Sequence, residues 1–195
     1  MNKRHEFEKK ILLTYQEYIY LLNKFGKKEA PNKQINFYYD NDDLIMHKSG
    51  ITCRNRLKNN KYIATIKKHS QTDKDKSIEI SDTSSNEKYP KNFKNMGLKL
   101  QGQLTTFRTV LINTDHLKVV LDHNQYLGTQ DYELEIEYDK PHENEAIALI
   151  EEIAISLFYA IIIPNPFSFV YRQEQVFSKS QRFFMRLCSQ GSNQK

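Results

Sequence analysis

The chain has 195 residues, 27% of them charged, with 12 tyrosines, 11 phenylalanines and no tryptophan. That is an ordinary globular mixture, long enough to bury a core, and it excludes a disordered or fibrous chain. Lys+Arg 29 against Asp+Glu 24 leaves +5, an excess that suits an anionic ligand but argues against a nucleic-acid surface, since no Lys/Arg run is interleaved with aromatics. The start is charged and lacks an apolar segment. The longest apolar run, 153–163, is too short to span a bilayer, and Cys53 and Cys188 have no metal-type spacing. The expectation is a cytoplasmic protein with reduced thiols and no membrane association.

Residues 5–13 read as a strand. Alternation places Glu6, Glu8 and Lys10 on one face and Phe7, Lys9, Ile11 and Leu13 on the other. Taken alone, this is as expected of an edge strand in solvent. Thr14-Tyr15-Gln16-Glu17 is a capping box, so a helix follows, with Tyr18, Leu21, Leu22 and Phe25 as its apolar stripe and Gly26 as its stop. After a polar loop at 27–33, residues 34–40 alternate as a second strand, and 41–50 is turn-rich with room for one helical turn. Strands at 51–57 and 61–68 flank Asn59-Asn60, a tight hairpin signal. A charged loop at 71–76 leads to a short strand at 77–81, then to a broken helix over 82–96 containing Pro90 and closed by Gly97. Three more strands are expected at 104–113, 117–122 and 131–138, the first two joined by a turn at Asn113-Thr114-Asp115. Residues 143–159 show helical periodicity through Ile147, Ile150, Ile153, Ala154 and Leu157. Pro164 and Pro166 break the chain, and a final helix is expected over 178–187. Strands joined by hairpins, with a few helices, predict a mainly β (α+β) fold: one domain over 1–195, an antiparallel sheet or closed barrel over about 5–139 with helices packed outside and C-terminal helices over about 143–188.

The polar faces recur from strand to strand. Arg54 and Arg56 share a face, as do Ile63, Thr65 and Lys67, and Thr106, Arg108 and Val110. Glu79 opposes Ile78 and Ile80. Leu117, Val119 and Leu121 oppose Lys118, Val120 and Asp122, and Glu133, Glu135 and Glu137 oppose Tyr132, Leu134, Ile136 and Tyr138. A closed sheet with this face inside would be a water-filled tunnel. Its basic wall would suit phosphate oxygens and its acidic wall a hard cation such as Mg²⁺ or Mn²⁺. Histidines 5, 47, 69, 116, 123 and 142 have no metal spacing. Phe37, Tyr38 and Tyr39 read as wall packing and Cys53 as core. Lys179, Arg182 and Arg186 fall at helical spacing, either a solvated helix face or a gate over the tunnel.

The same residues carry a family resemblance. Glu6-Phe7-Glu8-Lys9-Lys10 resembles the Glu-x-Glu-x-Lys signature of the CYTH superfamily, the triphosphate tunnel metalloenzymes. Later pieces keep the family's order: 36–40, Arg54-Asn55-Arg56, 64–67, Glu79, Arg108, Leu121-Asp122 and 132–137, and an ending at 179–183 is similar too. The resemblance implies an eight-stranded antiparallel barrel whose bore binds triphosphate and a divalent metal. It implies phosphate contacts from Lys10, Arg54, Arg56, Lys67, Arg108 and Lys179. It also implies metal ligation by Glu6, Glu8, Asp122, Glu135 and a flanking glutamate, Glu133 or Glu137. The aromatic insert 165–177 precedes Lys179.

The reading that follows is hydrolysis of a small triphosphate by a monomer or homodimer using Mg²⁺ or Mn²⁺. Lys10 and Arg56 would stabilise the phosphoryl charge, and Glu79 or a tunnel glutamate would orient water. A class IV adenylate cyclase and a non-catalytic polyphosphate- or nucleotide-binding module are the alternatives. The acid wall argues against a pure anion binder, because bare carboxylates repel phosphate.

Overall fold

The computed structural model describes residues 2–26, 29–70, 72, 75–82, 87–161 and 176–192, with the backbone alone for 2–4 and 161. Eight strands run in chain order: β1 Asn2–Leu13, β2 Asn32–Asp40, β3 Ile51–Lys58, β4 Lys61–His69, β5 Lys76–Asp82, β6 Lys99–Asn113, β7 Leu117–Tyr126 and β8 Thr129–Tyr138. Every pairing is antiparallel, and the order β1-β5-β4-β3-β2-β6-β7-β8 closes because β1 also pairs with β8. Closure removes both sheet edges, so the charged face of β1 lines an interior instead of meeting solvent at an edge. Helices α1 Tyr15–Phe25, α2 Ile45–Lys48, α3 Lys91–Asn95, α4 Glu143–Ile161 and α5 Lys179–Ser192 pack around it.

Local chemistry explains most of these elements. Thr14 accepts from the Glu17 amide while the Glu17 side chain accepts from the Thr14 amide, the reciprocal capping box that starts α1. The β3–β4 turn places Asn59 and Asn60 at φ 49° and 59°, the mirror-image turn that matches strand twist. The β7–β8 turn does the same with Leu127 and Gly128 at φ 45° and 72°. Asp40 is fully buried and accepts from the amides of Asn41, Met46 and His47, which fixes α2 against the end of β2.

The apolar side chains form three clusters, two on the outer faces and one inside the barrel end under α5. The largest joins Ile11, Leu117, Val119, Leu121, Leu134 and Ile136 of the barrel to Leu21 of α1 and to Ala146, Ile150, Ile153, Ala154 and Leu157 of α4. A second places Phe37, Tyr39 and Cys53 against Phe93 of α3, and burial pushes the Cys53 thiol up to about 12. The third holds Tyr38 and Leu104 against Phe183 and Phe184 of α5. Each such aromatic or leucine contributes about 1.5–3 kcal/mol when fully buried.

Several expectations need correcting. Strand β6 begins at Lys99 rather than 104, β7 runs to Tyr126 rather than 122, and β8 begins at Thr129 rather than 131. The added residues carry few apolar side chains, so ladder hydrogen bonds hold them where hydrophobic alternation gives no signal. Ile147 is 40% exposed and Ala146 takes its place on the buried stripe of α4. Phe37, Tyr38 and Tyr39 all pack on the barrel wall, Phe37 and Tyr39 on its outer side and Tyr38 on its inner side, where it lines the bore. The proline break at 164–166 and the insert up to 175 lie outside the described residues, as do parts of the loops expected at 27–33, 71–76 and 82–96. Among the described residues, no helix is long and apolar enough to cross a membrane.

Gly102 allows α5 to sit tightly on the barrel end. Its φ is +151°, and a Cβ there would lie 2.8 Å from Cζ of Phe183. Both the backbone conformation and the ring contact disfavour a side chain. Gly102→Ala is expected to lower stability by about 1–3 kcal/mol in urea titration. An unchanged midpoint would show that Phe183 is not seated against this strand.

Candidate active site in the barrel bore

Period-two alternation on seven strands brings charged residues into one cavity. Glu6, Glu8 and Lys10 come from β1, Tyr38 from β2, Arg54 and Arg56 from β3, Lys67 and His69 from β4, and Glu79 from β5. Arg108 of β6 and Glu135 and Glu137 of β8 complete the wall. Ser178, Lys179 and Ser180, at the start of α5, line one end, where the Thr52 and Ser180 hydroxyls lie 2.8 Å apart.

The acid wall has a focus. Register places Asp122 opposite Glu133 and Val120 opposite Glu135. Asp122, Glu133 and Glu135 are all buried, and one oxygen from each lies within 4.8 Å of the others. This all-oxygen donor set fits a hard divalent cation. The Lys179 ammonium sits against all three, 3.0 Å from Asp122, 2.5 Å from Glu133 and 2.7 Å from Glu135. Arg108 forks onto Asp122 at 2.8 and 2.7 Å and reaches Glu135 at 3.1 Å. Burial alone would raise the carboxyl pKa values of Asp122 and Glu135. Lys179 and Arg108 on Asp122, with Lys10 in addition on Glu135, override it and hold both below the usual range. The other acids expected to hold metal stand apart from this focus. Glu8 and Glu6 face Lys67 at 2.6 and 3.1 Å, and Glu137 faces Lys118 at 2.8 Å.

Most of the cations expected to hold phosphate lean on these acids. Lys10 lies 2.6 Å from Glu8 and 3.4 Å from Glu135. Arg54 meets Glu79 at 3.2 Å through one Nη, while its buried Nε has no partner among the described residues. Arg56 differs: its Nε donates to Asn36 Oδ1 at 3.1 Å, and it makes no ion pair among the described residues. Burial, then the nearby Arg54 and Arg108 guanidiniums, push the Arg56 pKa down to about 10. An uncompensated, largely buried guanidinium is costly unless an anion joins it. His69 is pushed down to about 4 by burial and by Lys67, so it is neutral at pH 7.

The helical spacing of Lys179, Arg182 and Arg186 leaves a solvated face and a gate open, and their contacts distinguish the two. Arg182 lies 2.9 Å from Asp131 and 2.5 Å from Glu133, anchoring α5 over the bore. Arg182 and Lys179 therefore face inward, while Arg186 is exposed. Asn36, Tyr38, His69 and Asp131 are each in phase with a charged bore position on the same or the paired strand, and that phase was the available signal.

Comparison with known proteins agrees with this geometry. The CYTH domain family matches residues 4–158. A Bacillus subtilis protein named "Putative triphosphatase YjbK" is 31% identical over 158 residues, covering 73% of this chain and 82% of that one. A crystal structure from Bacillus halodurans titled as a putative adenylate cyclase is 25% identical with a TM-score of 0.71, covering 94% of this chain and 100% of that one. A Hippeastrum structure, whose title reports a dominant triphosphatase activity, is 17% identical with a TM-score of 0.59 over 77% of this chain and 88% of that one; it supports the fold alone. With the closed barrel, the charged bore and a match over most of its length, the chain belongs to the CYTH domain family.

Proposed function

We propose that the protein is a divalent-metal-dependent hydrolase of a small triphosphate bound in the bore. Inorganic tripolyphosphate, thiamine triphosphate and nucleoside triphosphates are its candidate substrates. The observation that carries this reading is Arg56, a largely buried cation with no carboxylate paired to it among the described residues, in a bore that also holds three converging carboxylates. Arg56 and the orphaned Nε of Arg54 ask for an anion. The Asp122–Glu133–Glu135 focus asks for a cation, and a metal-bound polyphosphate meets both demands. The name of the Bacillus subtilis relative supports the same reading.

In this reading Arg54 and Arg56 grip phosphate oxygens as bidentate forks, and Lys10, Lys67 and Arg108 neutralise the charge spread over the phosphoryl group. Mg²⁺ or Mn²⁺ held by Asp122, Glu133 and Glu135 would add Lewis-acid neutralisation of the phosphate oxygens. Glu8, Glu6 and Glu137 are the remaining carboxylates within reach of the bore. Glu79, released when Arg54 turns to phosphate, orients water and accepts its proton. The water oxygen bonds to the terminal phosphorus, the bridging P–O bond breaks, and the diphosphate portion, free or still esterified to thiamine or nucleoside, leaves with the electron pair.

The test is a panel of tripolyphosphate, thiamine triphosphate and ATP with Mg²⁺ or Mn²⁺, reading orthophosphate, diphosphate and cyclic nucleotide separately. Orthophosphate release that stops with chelator and returns with metal is expected. Diphosphate with cyclic nucleotide would make the protein a cyclase. Full turnover in chelator, or binding without turnover, would overturn the reading.

A further inference from the structure

We propose that the end of the bore away from α5 is a further phosphate subsite, built around Lys58, that holds one phosphate group beyond the triphosphate; this rests on the reading above. On β3 the inward row runs from Thr52, beside Ser180 of α5, through Arg54 and Arg56 to Lys58. Same-face residues are about 7 Å apart along a strand, so Lys58 continues the arginine row outward. A cavity of ≈ 240 Å³ opens there, lined by Gln34, Arg56, Lys58, Arg108, Lys118 and Glu137 among others. Four of these residues also line the central bore, so the two spaces are contiguous.

The charge in this mouth is unbalanced. Glu137 is the one carboxylate among its lining residues, and it is already engaged by Lys118 at 2.8 Å and Arg108 at 3.4 Å. Arg108 is further committed to Asp122. Lys58 and Arg56 have no carboxylate partner among the described residues. Burial, then the cations of Arg56, Arg108 and Lys118, push the Lys58 pKa below its ordinary value, with Glu137 opposing. Lys58 is therefore a half-buried ammonium that lines one cavity with three other cations, and a phosphate dianion would relieve their repulsion. A neutral or cationic ligand would gain nothing from this mouth. An organic group would find only Val110 as an apolar lining residue.

The phosphate could arrive as the fourth unit of a longer linear polyphosphate or as free orthophosphate. Calorimetry in chelator, at fixed salt, separates these sources. The titrants are tripolyphosphate, tetrapolyphosphate, and orthophosphate added to protein already saturated with tripolyphosphate. Wild type is expected to bind tetrapolyphosphate about tenfold or more tighter than tripolyphosphate, one charge-assisted contact being of that order. Lys58→Ala is expected to erase the difference and Lys58→Arg to keep it. A second orthophosphate event lost in Lys58→Ala would also support the subsite and assign it to free phosphate. Equal affinities with no orthophosphate event would overturn the proposal. So would a tetrapolyphosphate advantage that survives in Lys58→Ala. Failure of wild type to bind tripolyphosphate even when Mg²⁺ replaces the chelator would overturn the central triphosphate reading as well, which keeps the two failures distinct.

Discussion

Arg56→Met is expected to move stability and binding in opposite directions. In the ligand-free protein the Arg56 guanidinium is largely buried and close to Arg54 and Arg108; it donates to the Asn36 side-chain oxygen, and the more distant Glu79 and Glu135 offset part of the repulsion. Its pKa is pushed down to about 10, so the charged form is disfavoured by folding and the penalty is present at pH 7. Methionine fills similar space without the charge. The unfolding free energy of the ligand-free variant is expected to rise by about 1–3 kcal/mol, less whatever Asn36 loses with its donor. Tripolyphosphate affinity is expected to fall by about one to two decades, the worth of a charge-assisted hydrogen bond. Thermal melts with and without tripolyphosphate read both effects at once. The ligand should raise the wild-type midpoint strongly and the variant's little, by mass action. A variant that is less stable than wild type without ligand, and equally stabilised by tripolyphosphate, would show that Arg56 is structural.

The barrel and the identity of its inward residues were legible because period-two alternation is a one-dimensional signal. Glu6, Glu8 and Lys10 differ from Phe7, Ile11 and Leu13 in every frame, and closing the sheet decides only which face is inside. Other features depend on register between strands, which alternation leaves open. Asp122, Glu133 and Glu135 converge because Asp122 pairs with Glu133; the residues alone allowed Glu6, Glu8 and Glu137 equally. The helix at 179–192 shows the same limit. Its residues predict a helix with basic spacing, but whether that face is wet or inserted depends on Asp131 and Glu133, far away in sequence. The turn at Leu127-Gly128 was missed because leucine is a poor residue for positive φ. Here closure of the barrel overrides local preference.

Lys179→Met is expected to have the largest effect on the metal-free protein, and a divalent cation is expected to reverse it. The Lys179 ammonium is the shared counter-ion of Asp122, Glu133 and Glu135. Removing one partner of a buried charge cluster costs about 3–5 kcal/mol, because the charges left behind have lost water as well as their partner. Arg108 and Arg182 remain, so the site keeps part of its compensation. The same three carboxylates form the donor set for a hard cation, so in wild type a cation competes with the ammonium and in the variant it does not. Added Mg²⁺ or Mn²⁺ should therefore raise the melting midpoint of Lys179→Met more than that of wild type. A site saturated a hundredfold above its dissociation constant contributes about 2.7 kcal/mol, which would recover most of the deficit. The pH dependence has a fixed sign. Asp122 and Glu135 have depressed pKa values in the wild type, so the stability they carry is fully present above their unfolded-chain values near ~4 and is lost as pH falls below them. In the variant those carboxyls no longer have the ammonium, so less is lost on acidification. The gap between wild type and variant should be widest near neutrality and should narrow in acid. Equal metal-induced shifts in both proteins would mean that Lys179 does not occupy the cation's place, and a gap that widens in acid would mean that the deficit comes from packing instead of charge.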